Sequence, residues 1–297
     1  MSNVKIWLMQ IRAPFLVLTP ISVLVGVSVA VYESYSINAL YPALAFIGAL
    51  LAHIAVNVLN EYFDYKSGVD FKTVRTPFSG GSGVLVEGLL SPRSVYIFGL
   101  ACVAAIIAIG GYFFHVHGAA ILPLGALGLV TVYFYTTYLT KSPLLCAIAP
   151  GLGFGPLMVM GTFFALTGTY TLAAGLASIV PFFLVSNLLL LNQFPDVEAD
   201  SQAARRHLPI AIGRKGSSNV YAVLLVAAYV ALVIPVAVGV LPYMALFGLL
   251  TLPLGFVVVR GARQYYDQIE GLVPVMGRNV LLTLLLPLLM AIGIIVS

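Results

Sequence analysis

The sequence predicts an all-α, polytopic membrane protein of about nine transmembrane helices, and three observations carry that prediction. Of 297 residues, 61% are hydrophobic and only 8% are charged, against roughly 25% charged in a soluble domain. Apolar segments long enough to cross a hydrocarbon core of about 30 Å, roughly 20 helical residues each, recur along the whole chain. All 14 Lys and Arg residues fall into segments that alternate-loop counting assigns to one face.

Taken in order, apolar runs and their breakers place spans at 14–32, 40–60, 94–114, 118–139, 143–165, 170–193, 218–239, 241–259 and 279–296. Lys5 and Arg12 before the first run imitate a signal peptide, but the comparable runs that follow make it a first transmembrane helix. The recurrence predicts one membrane-embedded domain, 1–297. With nine spans, the N-terminus and the connections starting near 61, 140, 194 and 260 share a face. The positive-inside rule makes that face cytoplasmic, in the cell membrane. Nine of the 10 acids lie there too, Glu33 being the exception, so polar chemistry is expected on that side. A net charge of +4 spread over membrane-flanking residues gives no reason to expect nucleic acid. Cys102 and Cys146 lie far apart in apolar runs and read as packing residues.

Two long loops on the cytoplasmic face begin alike. NEYFD, Asn60 to Asp64, ends the second span, and NQFPD, Asn192 to Asp196, ends the sixth. Four helices separate them, so both enter the same face in the same direction, as in two pseudo-repeated halves. On an ideal helix His53, Asn57, Asn60 and Asp64 fall within about 60° of one another. Such a stripe must face protein or water, and intramembrane polar groups are functional candidates. Gly68 offers a turn that returns Asp70 toward Asp64. In the second motif Asn192, Asp196 and Asp200 are spaced by four, but Pro195 predicts a break and a helix restarting at the carboxylates.

Paired carboxylates with amide oxygens are hard ligands suited to Mg²⁺, which binds through one or two carboxylates plus substrate phosphates. The candidate metal set is therefore Asp64, Asp70, Asp196 and Asp200, with Asn60 and Asn192 assisting. Arg75, Lys141, Arg205 and Arg206 are candidates for neutralising a diphosphate. Lys141 is the favoured catalytic cation, being in a short loop without an acidic neighbour, after Tyr133, Tyr135 and Tyr138.

Together these features resemble the UbiA superfamily of intramembrane prenyltransferases, which carry an NxxxD-type motif after the second helix and a DxxxD motif after the sixth. NEYFDYKSGVD is similar to the form in menaquinone-type naphthoate prenyltransferases, with the last acid six residues after the preceding one. NQFPDVEADSQAARRHLPIAIGRK follows the second motif. Arg12 with Pro14, Tyr135 with Thr136 ahead of Lys141 and Pro143, and GLGFG from Gly151 to Gly155 extend the likeness. RTPFSGGSG, Arg75 to Gly83, replaces the family's usual basic and proline residues.

The resemblance implies a bundle around a central cavity open to lipid. It implies Mg²⁺-assisted ionisation of a prenyl diphosphate and transfer of its isoprenoid chain to a small acceptor, the spacing of the first motif favouring an aromatic quinone precursor. His53, Asn57, Asn60, Asn192, Arg12, Arg75, Tyr135, Arg205 and Arg206 are its expected substrate-binding residues. Readings from other classes are a secondary transporter and a non-catalytic binder of lipid diphosphates.

Overall fold

The computed structural model of the chain describes residues 2–203 and 205–297. Among the described residues eight continuous helical stretches are long and apolar enough to cross a membrane, three of them (Ala13–Tyr32, Pro143–Thr167 and Tyr243–Gln264) joining shorter elements, and a shorter apolar stretch, Ala119–Phe134, supplies the ninth segment. The chain is thus a multi-pass integral membrane protein. The elements are α1 (Asn3–Gln10), α2 (Leu18–Tyr32), α3 (Leu40–Ser67), α4 (Pro92–His117), α5 (Leu122–Phe134), α6 (Pro143–Leu152), α7 (Gly161–Thr167), α8 (Leu172–Asn192), α9 (Val197–Gln202), α10 (Leu208–Ala237), α11 (Leu252–Gln264) and α12 (Ile269–Ile295).

Spans read from hydropathy stop where charge begins, whereas helices do not. So α3 continues past residue 60 to Ser67, and α12 begins at Ile269 rather than 279, carrying Glu270 and Arg278 in its first turns. The fourth segment errs the other way: the helix ends at Phe134 instead of 139. The chain turns there, with the Thr140 N–H donating to Tyr135 O at 3.1 Å.

Two breaks in regular helix build the site. Between α1 and α2 the backbone is left-handed at Arg12, φ 53, and Asn57 Nδ2 donates to the carbonyl of Ile11 at 3.0 Å. A carbonyl freed by the break thereby keeps a partner. Between α6 and α7, Gly153–Met160 is a π-helix with Pro150 just before it and Pro156 within it, prolines that cannot donate to the regular helical ladder. GLGFG supplies close approach here: a Cβ at Gly151 would run into Phe182 O and Ser186 Oγ, and one at Gly155 into Ser178 O. Glycines four apart thus let α6 and the π-helix lie backbone-close on α8.

The densest packing surrounds α8, α10 and α12, where Tyr221, Phe194, Leu232 and Met276 are fully buried. Asn187 Nδ2 donates to Tyr221 O at 2.9 Å and Tyr221 Oη donates to Asn279 Oδ1 at 2.7 Å, tying the three helices together. The opposite side is loosely filled. There α3, α4, α5 and α6–α7 enclose a cavity of about 860 Å³.

Candidate active site

The cavity has one polar end, built by the two acidic motifs. NEYFD forms the last turns of α3, which stops at Gly68, φ 81, and Asp70 follows in a 3-10 turn, Val69–Phe71. NQFPD straddles a break: α8 ends at Asn192, Asp196 caps α9, and Asp200 lies in its first turn. The turn expected at Gly68 and the restart expected after Pro195 both form. Asp64, Asp70, Asn192, Asp196 and Asp200 all line the cavity.

Arg205 joins the motifs. One Nη donates to Asp64 and the other to Asp200 at 2.9 Å, and the Arg205 side chain is only 17% exposed. Burial opposes its charge, but Asp64 and Asp200 more than offset this and hold the guanidinium more firmly protonated than usual. His207, also buried, points Nε2 at the other Asp200 oxygen, 3.1 Å away. Burial pushes the Asp200 carboxyl up, yet the contacts with His207 and Arg205 outweigh it and keep the group below its ordinary range. Asp70 and Asp196 lack such partners. Burial, then Asp64 and Glu61, push Asp70 up to about 8. Burial, then Asp200, push Asp196 up to about 7.

A second ion pair fixes the roof. Glu61, 1% exposed, accepts from Arg12 Nε at 2.9 Å, from the Ser82 N–H at 2.6 Å and from Ser82 Oγ at 2.5 Å. This clamp draws the loop RTPFSGGSG over the acids, and a Cβ at Gly81 would lie 3.3 Å from Asp70 Oδ1 and 3.6 Å from Arg12 Nη2. The loop therefore lies close over the pole that it covers.

The other expected residues divide. Asn60 lines the cavity and donates from Nδ2 to Thr136 Oγ1 at 3.0 Å. His53 lines it more deeply, 2.9 Å from Thr19 Oγ1 and edge-on to Phe154. Asn57, Tyr135 and Arg12 also face it. Arg75, Lys141 and Arg206 are not among its lining residues. Arg75 pairs with Glu87 at 2.7 Å. Lys141 is exposed, its Nζ 5.7 Å from the Tyr138 ring centroid. Arg206 is held by its backbone N–H, which donates to Thr140 O at 3.0 Å.

Glu61 and His207 escaped the sequence reading. Glu61 adjoins Asn60 inside the motif and His207 follows the Arg pair, so proximity to the motifs was the available signal.

Among the described residues, no three His, Cys, Asp or Glu side chains converge into a metal cage. What the pole offers is oxygen donors in surplus: Asn192 Oδ1 and Asp196 Oδ1 are buried without a hydrogen-bond partner, and Asp70 and Asp196 carry no cation of their own. That donor set suits an octahedral hard cation that keeps waters and shares its shell with phosphate oxygens, not a closed protein cage.

The fold and the site define a membrane-embedded protein with one acidic, arginine-bridged pole at the end of an apolar cavity. Comparison with known proteins sharpens this. Residues 19–293 match the UbiA prenyltransferase family, and the chain belongs to it. It is accordingly a prenyltransferase. It is 28% identical to the 1,4-dihydroxy-2-naphthoate octaprenyltransferase of Bacillus subtilis over 71% of this chain and 67% of that one. It is 25% identical to the Escherichia coli enzyme of the same name over 100% and 97%. A UbiA homolog from Archaeoglobus fulgidus bound to GPP and Mg²⁺ superposes with a TM-score of 0.67 at 15% identity, covering 98% and 100%.

Proposed function

We propose that this prenyltransferase moves the isoprenoid chain of a prenyl diphosphate onto an aromatic quinone precursor of the dihydroxynaphthoate type, within a single domain spanning 1–297. The observation that carries the reading is the convergence of two distant acidic motifs on Arg205 at the mouth of an apolar cavity. Relatives named for naphthoate prenyl transfer support the acceptor class.

In this reading Asp64, Asp70, Asp196 and Asp200, with Asn60 and Asn192, hold Mg²⁺, for which the unpartnered oxygens of Asn192 and Asp196 speak. Bound there, Mg²⁺ would supply positive charge against the diphosphate leaving group. Arg205 and Arg12 add fixed positive charge at the same pole, and preorganised charge aimed at a leaving group acts where charge grows. Asn57 holds the helix break that presents Arg12. Tyr135 and Phe154 line the cavity, giving aromatic walls to an allylic cation and excluding water that would quench it. His53, deeper on α3, faces the tail. Arg75, Lys141 and Arg206 serve topology and the loops. The segregation of all 14 basic residues supports a cytoplasmic pole in the cell membrane.

The test offers the purified protein one prenyl diphosphate, Mg²⁺ and a panel of acceptors, and identifies products by mass. A prenylated dihydroxynaphthoate is expected. Another prenylated acceptor overturns the acceptor class. Donor binding without turnover points to a lipid-diphosphate binder, and donor movement across vesicles without product points to a transporter.

A further inference from the structure

The cavity extends well beyond the acids. Along α3 its wall runs from Asp64 back to Leu44, twenty residues or about 30 Å at 1.5 Å per residue, the full thickness of a hydrocarbon core. Its polar end holds Asn192, 8% exposed, with an unpartnered Oδ1, so the whole space is built for an occupant that is polar at one end and apolar along its length.

The deep half is walled by glycine on two neighbouring helices. Gly110 and Gly111 of α4 and Gly125 and Gly128 of α5 all line it. Among the described residues, apart from its chain neighbours and its own helix's nearby backbone, no heavy atom lies within 4 Å of a Cβ placed at any of the four. These glycines therefore do not serve close helix packing, as Gly151 and Gly155 do. They border open space. The depth of Gly110 and Gly111 follows from Gly48, whose added Cβ would touch Ile109 at 3.5 Å, beside Gly110, and Gly128 lies eight residues before Thr136, which pairs with Asn60, so it stands somewhat nearer the acids. Gly48 precedes Asp64 by sixteen residues, or about 24 Å. An isoprene unit advances a chain by four carbon–carbon bonds of about 1.5 Å, at most about 5 Å. A two-unit tail thus ends near Asn57, about 10 Å from Asp64 along the helix, far short of the glycines. Tails of about five units or more reach them, and an eight-unit tail, about 40 Å extended, exceeds the cavity and must pass them.

Resting on the prenyl-donor reading above, we propose that Gly110, Gly111, Gly125 and Gly128 determine donor length, keeping a passage between α4 and α5 open for polyprenyl tails of more than about four units. Bulk at these positions narrows the enzyme to short donors.

The test compares geranyl diphosphate with an eight-unit polyprenyl diphosphate, measuring kcat/KM with a common acceptor and Mg²⁺-dependent protection from thermal unfolding. Gly128→Leu and Gly111→Leu are expected to lower the long-to-short ratio at least tenfold. Gly128→Ala and Gly111→Ala, which add one methyl into open space, lower it less and keep the test informative should a leucine variant misfold. An unchanged ratio, or equal losses with both donors, overturns the passage. If the wild-type protein binds neither donor, the prenyl-donor reading falls first and the passage with it.

Discussion

Replacing Arg205 by Met is the sharpest probe of how the pole balances its charge. In the metal-free protein Arg205 is the cation between Asp64 and Asp200, whose side chains are only 8% and 6% exposed. Removing one partner of a buried ion pair while leaving the other charged costs roughly 3–5 kcal/mol, and here one arginine leaves two carboxylates behind. His207 still contacts Asp200, so the greater burden falls on Asp64. If divalent metal and guanidinium answer to the same carboxylates, added Mg²⁺ restores part of the lost stability in Arg205→Met and stabilises the wild-type protein less. Thermal unfolding in detergent, with Mg²⁺ and with chelator, measures both differences. Turnover falls as well, since the diphosphate loses a fixed cation worth about 2–4 kcal/mol by analogy with other charge-stabilising donors. Equal Mg²⁺ stabilisation of both proteins refutes the reasoning, because the metal would then bind away from the acids that Arg205 bridges.

Asp64→Asn and Asp196→Asn should each lower turnover by orders of magnitude, and the double variant should be little worse than either, as follows from the proposal that both motifs act on one diphosphate; additive losses in donor consumption would assign them separate sites. Lys141→Ala should change kcat/KM less than about threefold, since exposed charges outside a site contribute little, and a loss comparable to that of Arg205→Met would put Lys141 back at the pole. Mg²⁺ affinity should rise with pH and level off above about 8, because Asp70 and Asp196 hold protons to about 8 and about 7 in the metal-free protein and must lose them to bind. By the same shifts the metal-free protein loses stability as pH rises toward 8, since unfolded carboxyls ionise first, near 3.8. Mg²⁺-dependent thermal shifts at a series of pH values check both signs, and a pH-independent shift contradicts them.

Much of the site was legible because its determinants are local. The polar stripe of α3 depends on helical periodicity, the return of Asp70 on one glycine, and the restart at Asp196 on one proline; each is decided within a few residues. The choice of cation was not legible. In sequence Lys141 stands out for want of an acidic neighbour while Arg75, Arg205 and Arg206 look alike, and what separates the four in the structure is the path of loops. Arg75 is taken by Glu87 twelve residues later, Lys141 lies by the Tyr138 ring, and Arg205 alone of the four turns inward, between carboxylates 141 and 5 residues away. Glu61 shows the same limit. Within the motif it resembles one more metal ligand, and only its contacts with Arg12 and Ser82 reveal a clamp for the covering loop.

The two motifs echo each other, but the helices that carry them have different surroundings. The helix bearing the second motif, α8, is 67% buried along its most apolar stretch, whereas α3 and α4 are 28% and 17% buried along theirs. Burial on the α8 side comes from large apolar side chains and from the Asn187–Tyr221–Asn279 chain of hydrogen bonds, which is stabilising in lipid, where apolar surface alone gives helices no reason to associate. Sparse packing on the α3–α5 side is what leaves a cavity. A space of this size lined by apolar groups would destabilise a core that had to stand empty, and in a membrane it is tolerable because lipid or a substrate tail can fill it. The α8–α10–α12 side thus holds Asp196 and Asp200 on a densely packed frame, while α3–α5 with α6–α7 provide the room. The reaction proposed for this chain falls on the seam between them, where Arg205 from the densely packed side reaches Asp64 on the open one.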